Sequence, residues 1–249
     1  MASFRIPDGL RVIAFGDIHG HLEALNRLLT RLRENRLEDQ RGLHDRYIFL
    51  GDYVDRGPDS AGVIDRLIEL GGTGLDCIFL RGNHESLFYR YLVSEDLRMG
   101  DSWMANGGVE TLASYGVTLP RDLPPEEALA VGLAEARKTV PKAHVDFLGS
   151  LRPSHREGDY FFTHAGVRPG VALDDQDPED LMWIRGSFLT STRDHGAMVV
   201  HGHTPERAPD IRDNRIGIDT GAGKGGYLTA AVFWSTERTF LHADPNSLR

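Results

Sequence analysis

Residues 12–15 form a short apolar run closed by Gly16 and Asp17. Residues 22–33 then place Leu22, Leu25, Leu28, Leu29 and Leu32 three and four positions apart, which predicts a helix with one apolar face. The same order of strand, polar loop and helix returns. Residues 47–50 end at Gly51 and Asp52 and precede a helix over 60–70, and residues 77–80 end at Arg81 and Gly82. Strands joined by helices in this way predict a βαβαβ layout, with the polar loops gathered at the C-terminal strand ends.

Between about 92 and 155 the pattern turns helical, with helices expected over 125–139 and 145–148 and no clear strand. Strand-like runs resume at 160–163, 198–200, 216–218, 228–233 and 239–241. A second sheet built largely from this half predicts an α/β fold: a β-sandwich flanked by helices, carrying a helical insertion. No internal repeat, low-complexity tract or Pro/Gly linker divides the chain, so residues 1–249 are expected to form a single catalytic domain.

Composition narrows the setting. The chain has 249 residues, 28 basic and 37 acidic, for a formal net charge of -9. No Lys/Arg-rich tract is present to grip a phosphate backbone, which argues against a stable nucleic-acid complex but leaves room for a small phosphorylated substrate. A lone cysteine, Cys77, lies in an apolar run and suits a buried thiol in a reducing compartment. Pro7, Asp8 and Gly9 interrupt the N-terminus before a signal-peptide core can form, and no apolar window is long enough to span a membrane. A cytoplasmic protein with no membrane partner is expected; oligomeric state leaves no trace in the sequence.

Five predicted strands end in oxygen or nitrogen ligand types. GDIHGH (16–21) supplies Asp17 and His19, GDYVDRG (51–57) supplies Asp52, and LRGNHE (80–85) supplies Asn83; THAG (163–166) and HGHT (201–204) add His164 and His203. Any one of these is a common polar turn. Together, on loops that converge at one sheet edge, they predict a metal centre. Six ligand groups suit two divalent ions bridged by a carboxylate, and the mixed O/N set without thiolate suits Mn, Fe, Zn or Co. Arg56 and Arg81 sit inside the same loops, and guanidinium pairs match the oxygens of a tetrahedral phosphoryl group, so phosphoester hydrolysis outranks amide hydrolysis. A metal-bridging hydroxide would attack phosphorus in line, while His84 protonates the leaving oxygen and Asp55 orients His84. A silent binding module would lack ligands, and none is missing.

GDIHGH, GDYVDRG, LRGNHE, THAG and HGHT together resemble the PPP-type serine/threonine phosphatases of the calcineurin-like metallophosphoesterase superfamily, particularly short bacterial and phage members. The resemblance covers residues 16–85 and 163–204, and more loosely WMANGG (103–108), LMWIR (181–185) and the strands from 216 onward. It implies that Asp17 and His19 hold the first metal, that Asp52 bridges, and that Asn83, His164 and His203 hold the second. It implies manganese as the leading choice of ion, Arg56 and Arg81 as phosphate clamp, His84 with Asp55 as the acid dyad, and Arg185 as a third phosphate-contacting arginine. Pro205 after HGHT follows the PPP branch, where no further histidine ligand is required, so His201 and His21 are set aside. The GAGKGG run (221–226) lacks P-loop spacing and precedes a strand, so it reads as a turn.

Two substrate readings follow. The first is protein serine/threonine phosphatase. The second is a hydrolase of dinucleoside polyphosphates such as diadenosine tetraphosphate; symmetric enzymes of that class commonly carry Gln-Gly-Cys where this chain has His19-Gly20-His21, which favours the first. A base-stacking site would draw on aromatics, with Phe88, Tyr89, Tyr91 and Trp103 at hand, although core packing accounts for them more simply.

Overall fold

The computed structural model describes residues 4–94 and 100–246. Strand β1 (Leu10–Phe15), helix α1 (Leu22–Glu34), β2 (His44–Phe49), α2 (Ser60–Gly72) and β3 (Asp76–Phe79) reproduce the expected βαβαβ unit, with β1–β2 and β2–β3 parallel. Helix α3 (Asn83–Val93) was not expected. It starts directly after Gly82, which has no side chain to cap it, and its one start signal is Glu85 at the third helical position, which accepts the Gly82 N–H at 3.0 Å. Short helices α4 (Gly100–Trp103) and α5 (Val109–Ser114) follow, then α6 (Pro125–Thr139) and α7 (Lys142–Ser150) as expected.

The second half supplies β4 (Ser154–Glu157), β5 (Tyr160–Thr163), α8 (Pro178–Trp183), α9 (Gly186–Leu189), β6 (Met198–His201), β7 (Asp210–Ile211), β8 (Arg215–Gly217), β9 (Leu228–Trp234) and β10 (Glu237–Ala243). These do not form one sheet. The sheets are β10-β9-β1-β2-β3 and β4-β5-β6-β8-β7, so the last two strands return to the first sheet, β9 antiparallel to β1 and β10 antiparallel to β9 at the edge. Burial explains the exchange: every residue of β9 is buried, as a strand between two neighbours and covered on both faces must be. Strands β4 and β7 escape sequence reading because each pairs with only one strand and carries no apolar run; β4 begins at the very end of the stretch expected to be helical.

Alternation along the strands divides the core in three. Val12, Ala14, Ile48 and Phe233 face Tyr160, Phe162, Val200 and Ile216 of the other sheet, filling the space between the sheets. Ile13, Phe15, Phe49 and Val232 point outward into a cluster shared with α1, α2, α3 and the helices from 100 to 150. On the far face Phe161 and Val199 meet Leu181, Ile184 and Phe188. Cys77, expected in the core, is only partly buried at the edge of the helical cluster. No helix among the described residues is long and apolar enough to cross a membrane.

Candidate metal centre

The loops after β1, β2, β3, β5 and β6 meet at one edge of the sandwich. Two groups of ligand atoms form there: His19, Asp52 and His84, and Asp52, His164 and His203. Within each, the ligand atoms lie within 4.8 Å of one another, all residues are buried, and Asp52 belongs to both. The centre therefore offers a dinuclear His/Asp site with a shared carboxylate. Asn83 joins the second group, its Oδ1 3.0 Å from His164 Nε2. Asp17 joins from the side, accepting the His203 backbone N–H at 3.1 Å.

The backbone is strained where these side chains are aimed. Six described non-glycine residues have left-handed φ, and five are centre residues: His19 (47°), Asp52 (51°), Asp55 (74°), Arg56 (69°) and His203 (65°). Each such conformation costs on the order of 1 kcal/mol or more and persists where surrounding structure over-determines it. Glu85 is one such determinant, since its carboxylate accepts the N–H groups of Asp52 (2.8 Å), Tyr53 (2.6 Å) and Gly82 (3.0 Å). Close approach is the other. A Cβ on Gly82 would lie 2.3 Å from Asp52 Oδ1, and one on Gly202 would lie 2.1 Å from Asp17 Oδ1.

Hydrogen bonds set the tautomers. His19 Nδ1–H donates to the Val54 carbonyl at 2.9 Å and His164 Nδ1–H to that of Leu50 at 3.0 Å, leaving each Nε2 lone pair toward the centre. Burial, with His164 and Arg185 adding to it, pushes His203 down to about 2, and burial with His84 and Arg56 pushes His19 down to about 3. Both imidazoles are neutral, as a metal-holding histidine must be. Burial and the neighbouring Asp219 and Asp52 carboxylates push Asp17 well above the usual range, while His164 and His84 overcome burial to hold Asp52 well below it. Crowded carboxylates beside two neutral imidazoles, His19 and His203, and a third, His164, that Asp52 and Glu85 raise against its burial are a donor set a pair of divalent cations can neutralise, so these residues fit the metals the motifs imply.

His84 faces two ways. Its Nδ1 is 2.6 Å from Asp55 Oδ2, and its Nε2 is 3.0 Å from Arg56 Nη2. Asp55 is fully buried and also accepts from Trp103 Nε1 at 2.9 Å and Thr111 Oγ1 at 2.6 Å. Burial opposes the charged imidazole, yet Asp52 and Asp55 outweigh it and raise His84. Arg56 Nη1 reaches His19 Nε2 at 2.7 Å, and Arg185 Nε donates to His203 Nε2 at 2.9 Å, so both guanidinium groups are at the centre. That of Arg81 is engaged elsewhere, donating to the Gly149 carbonyl at the end of α7 at 3.1 Å.

Four participants were missed by sequence reading. Asp219 interacts directly with Asp17, and its position just after β8 repeats the strand-then-Asp pattern of Asp17 and Asp52. Glu85, Trp103 and Thr111 carry no such signal, because their partners are backbone amides or a buried carboxylate brought close only by folding. His201, set aside, does lie off the centre: its Nδ1–H donates to the Gly202 carbonyl at 3.0 Å, and it lines a separate cavity of about 120 Å³. His21 rests against the Ala222 backbone.

A family model described as calcineurin-like phosphoesterase matches residues 10–215. The chain belongs to the calcineurin-like phosphoesterases. As a member of that family with two buried ligand triads, it has the site of a metal-dependent phosphoesterase. It is 29% identical over 237 residues to the asymmetrical bis(5'-nucleosyl)-tetraphosphatase PrpE of Halalkalibacterium halodurans, covering 88% of each chain. A solved chain provisionally described as a diadenosine tetraphosphatase has TM-score 0.61 at 24% identity over 96% of both chains. The cold-active protein-tyrosine phosphatase of a Shewanella species has TM-score 0.55 at 18% identity, over 97% of this chain and 82% of its own. Both solved structures share the fold with this chain.

Proposed function

We propose that this phosphoesterase hydrolyses dinucleoside polyphosphates such as diadenosine tetraphosphate, cleaving them asymmetrically. The observation that carries this is the match to PrpE, 29% identity over 88% of each chain, a length that must take in the helical insertion. It reverses the order of preference drawn from the motifs. Protein serine/threonine phosphatase activity stays as the second reading, supported by the intact GDYVDRG and RGNHE motifs.

In this reading Asp17, His19, Asp52, Asn83, His164 and His203 hold two divalent ions, with manganese the first to try. When bound, the ions supply Lewis acidity toward phosphoryl oxygens and lower the pKa of a nucleophilic water. The chain's own residues do the rest. Arg56 and Arg185 orient the phosphoryl group, and Arg81 reaches it only on leaving the α7 carbonyls. His84 Nε2 gives its proton to the leaving oxygen as the P–O bond breaks, while Asp55 holds Nδ1 and favours the imidazolium beforehand. Water oxygen ends on phosphorus. Asymmetric cleavage of diadenosine tetraphosphate yields ATP and AMP, and burial of the centre keeps the proton on this path.

The test is a comparison of kcat/KM on diadenosine tetraphosphate and on a phosphoserine peptide with Mn-loaded protein, with products identified by chromatography. A value for the dinucleotide at least 100-fold higher, with ATP and AMP in equal amounts, is expected. A larger value for the peptide would reinstate the protein-phosphatase reading, and full activity after exhaustive chelation would remove the mechanism altogether.

A further inference from the structure

Phe88, Tyr91 and Trp103, aromatics available to the sequence for base stacking, are buried, and Trp103 is committed to Asp55. Eight large hydrophobic side chains are exposed among the described residues, and only two are aromatic: Trp183 (42%) and Tyr227 (50%). Both border the segment that carries His203. The Trp183 ring stands edge-on to the His203 imidazole, centroids 6.2 Å apart, two positions before Arg185. Tyr227 lines a groove of about 600 Å³ with Pro205, Arg207 and Lys224.

The groove adjoins the metal centre. Its floor includes the GAGKGG turn, and the turn's Gly223 comes so near that an added Cβ would sit 2.5 Å from His19 Cδ2 and 3.0 Å from Arg56 Cδ. Pro205 lies two residues beyond His203. Neither Lys224 nor Arg207 has an ion pair or a side-chain hydrogen bond with any described residue, and Glu206 is the sole acid in the lining. An exposed ring and two uncommitted cations beside a phosphate-handling centre match a base joined to a polyphosphate chain.

We propose that Tyr227 and Trp183 are stacking platforms for the two bases of a dinucleoside polyphosphate, with Lys224 and Arg207 along the phosphate chain in the Tyr227 groove. This rests on the tetraphosphatase reading above. The platforms are unequal. Trp183 has Arg185 beside it, whereas the Tyr227 groove adds two free cations. The triphosphate arm, which carries more negative charge, therefore lies in the Tyr227 groove, and the monophosphate arm lies against Trp183.

The experiment compares wild type, Tyr227→Ala, Tyr227→Phe, Lys224→Ala and Trp183→Ala, all Mn-loaded with metal in excess. It measures KM for diadenosine tetraphosphate and for 4-nitrophenyl phosphate, and inhibition of aryl phosphate hydrolysis by ATP and by AMP. Tyr227→Ala and Lys224→Ala are expected to raise the dinucleotide KM about tenfold relative to the aryl phosphate KM, with Tyr227→Phe close to wild type. ATP inhibition weakens in Tyr227→Ala, and AMP inhibition weakens in Trp183→Ala. Dinucleotide turnover with the same KM ratio in every variant overturns the stacking sites and leaves the tetraphosphatase reading intact. Absence of dinucleotide turnover, with ATP inhibition still dependent on Tyr227, retains the groove as a nucleotide site and overturns the reading. Loss of both overturns both.

Discussion

At the residue scale, the His84–Asp55 pair decides how the proposed proton transfer runs. His84 is close enough to Asp52 and His19 to count as a ligand, yet its Nδ1 is tied to Asp55 and its pKa is raised, which suits a proton donor. His84→Asn is expected to lower kcat on phenyl phosphate roughly 100-fold, and less on 4-nitrophenyl phosphate, whose leaving oxygen is a weaker base. Metal content by mass spectrometry should stay at the wild-type value; loss of an equivalent would assign His84 to the ligand set. His201 gives a second test, away from the chemistry. Burial lowers it from 6.5 to about 4, so the unfolded chain takes up a proton that the folded one refuses. Its contribution is complete above pH 6.5 and is lost as pH falls toward 4, at about 1.4 kcal/mol per unit. Between pH 7 and 4.5 the unfolding free energy of His201→Gln should therefore drop about 2–3 kcal/mol less than that of wild type. Parallel urea titrations with no such gap would remove the argument.

At the element scale, the N-terminus of α3 works as a clasp. Glu85 binds backbone N–H groups from the loop after β2 and from its own helix start, so one side chain ties two ligand loops together. Burial and the Asp52 charge raise it to about 7. Glu85→Ala would strand several buried amides at about 1–3 kcal/mol each, so a loss of at least 3 kcal/mol is expected in chemical denaturation; a loss below 1 kcal/mol would mean that water replaces the clasp. This element was illegible because its helix opens on residues that look like loop ligands. By contrast α1 and α6 were legible because each buries an apolar face of helical period, and β5 because it is a short apolar run buried on both faces. Strands β4 and β7 were not, because edge pairing requires only backbone groups and leaves little mark on side-chain choice.

At the scale of the whole molecule, the centre exists because two sheets are held in register. Phe233 of the returning strand β9 lies 4.9 Å from Tyr160 and 6.2 Å from Phe162, ring centre to ring centre, joining the sheets behind the metal loops. Phe233→Ala is expected to cost about 3–5 kcal/mol in guanidinium unfolding. The folded variant should bind metal at the wild-type ratio but with weaker affinity, as loops from opposite sheets lose their common support. Unchanged stability would show that the neighbouring rings collapse into the space.

What the sequence determined by itself was local: the strand and helix periods, the ligand types at strand ends, and the arginines within the same loops. These are readable because period and residue chemistry act over a few positions. Tertiary structure decided which strands share a sheet, how His84 turns between Asp55 and the centre, that Asp219 adjoins Asp17, that Arg81 is held by α7, and that Trp183 and Tyr227 stay exposed near His203. Each depends on contacts between residues distant in the chain, where packing and backbone hydrogen bonding choose among arrangements that local pattern leaves equal.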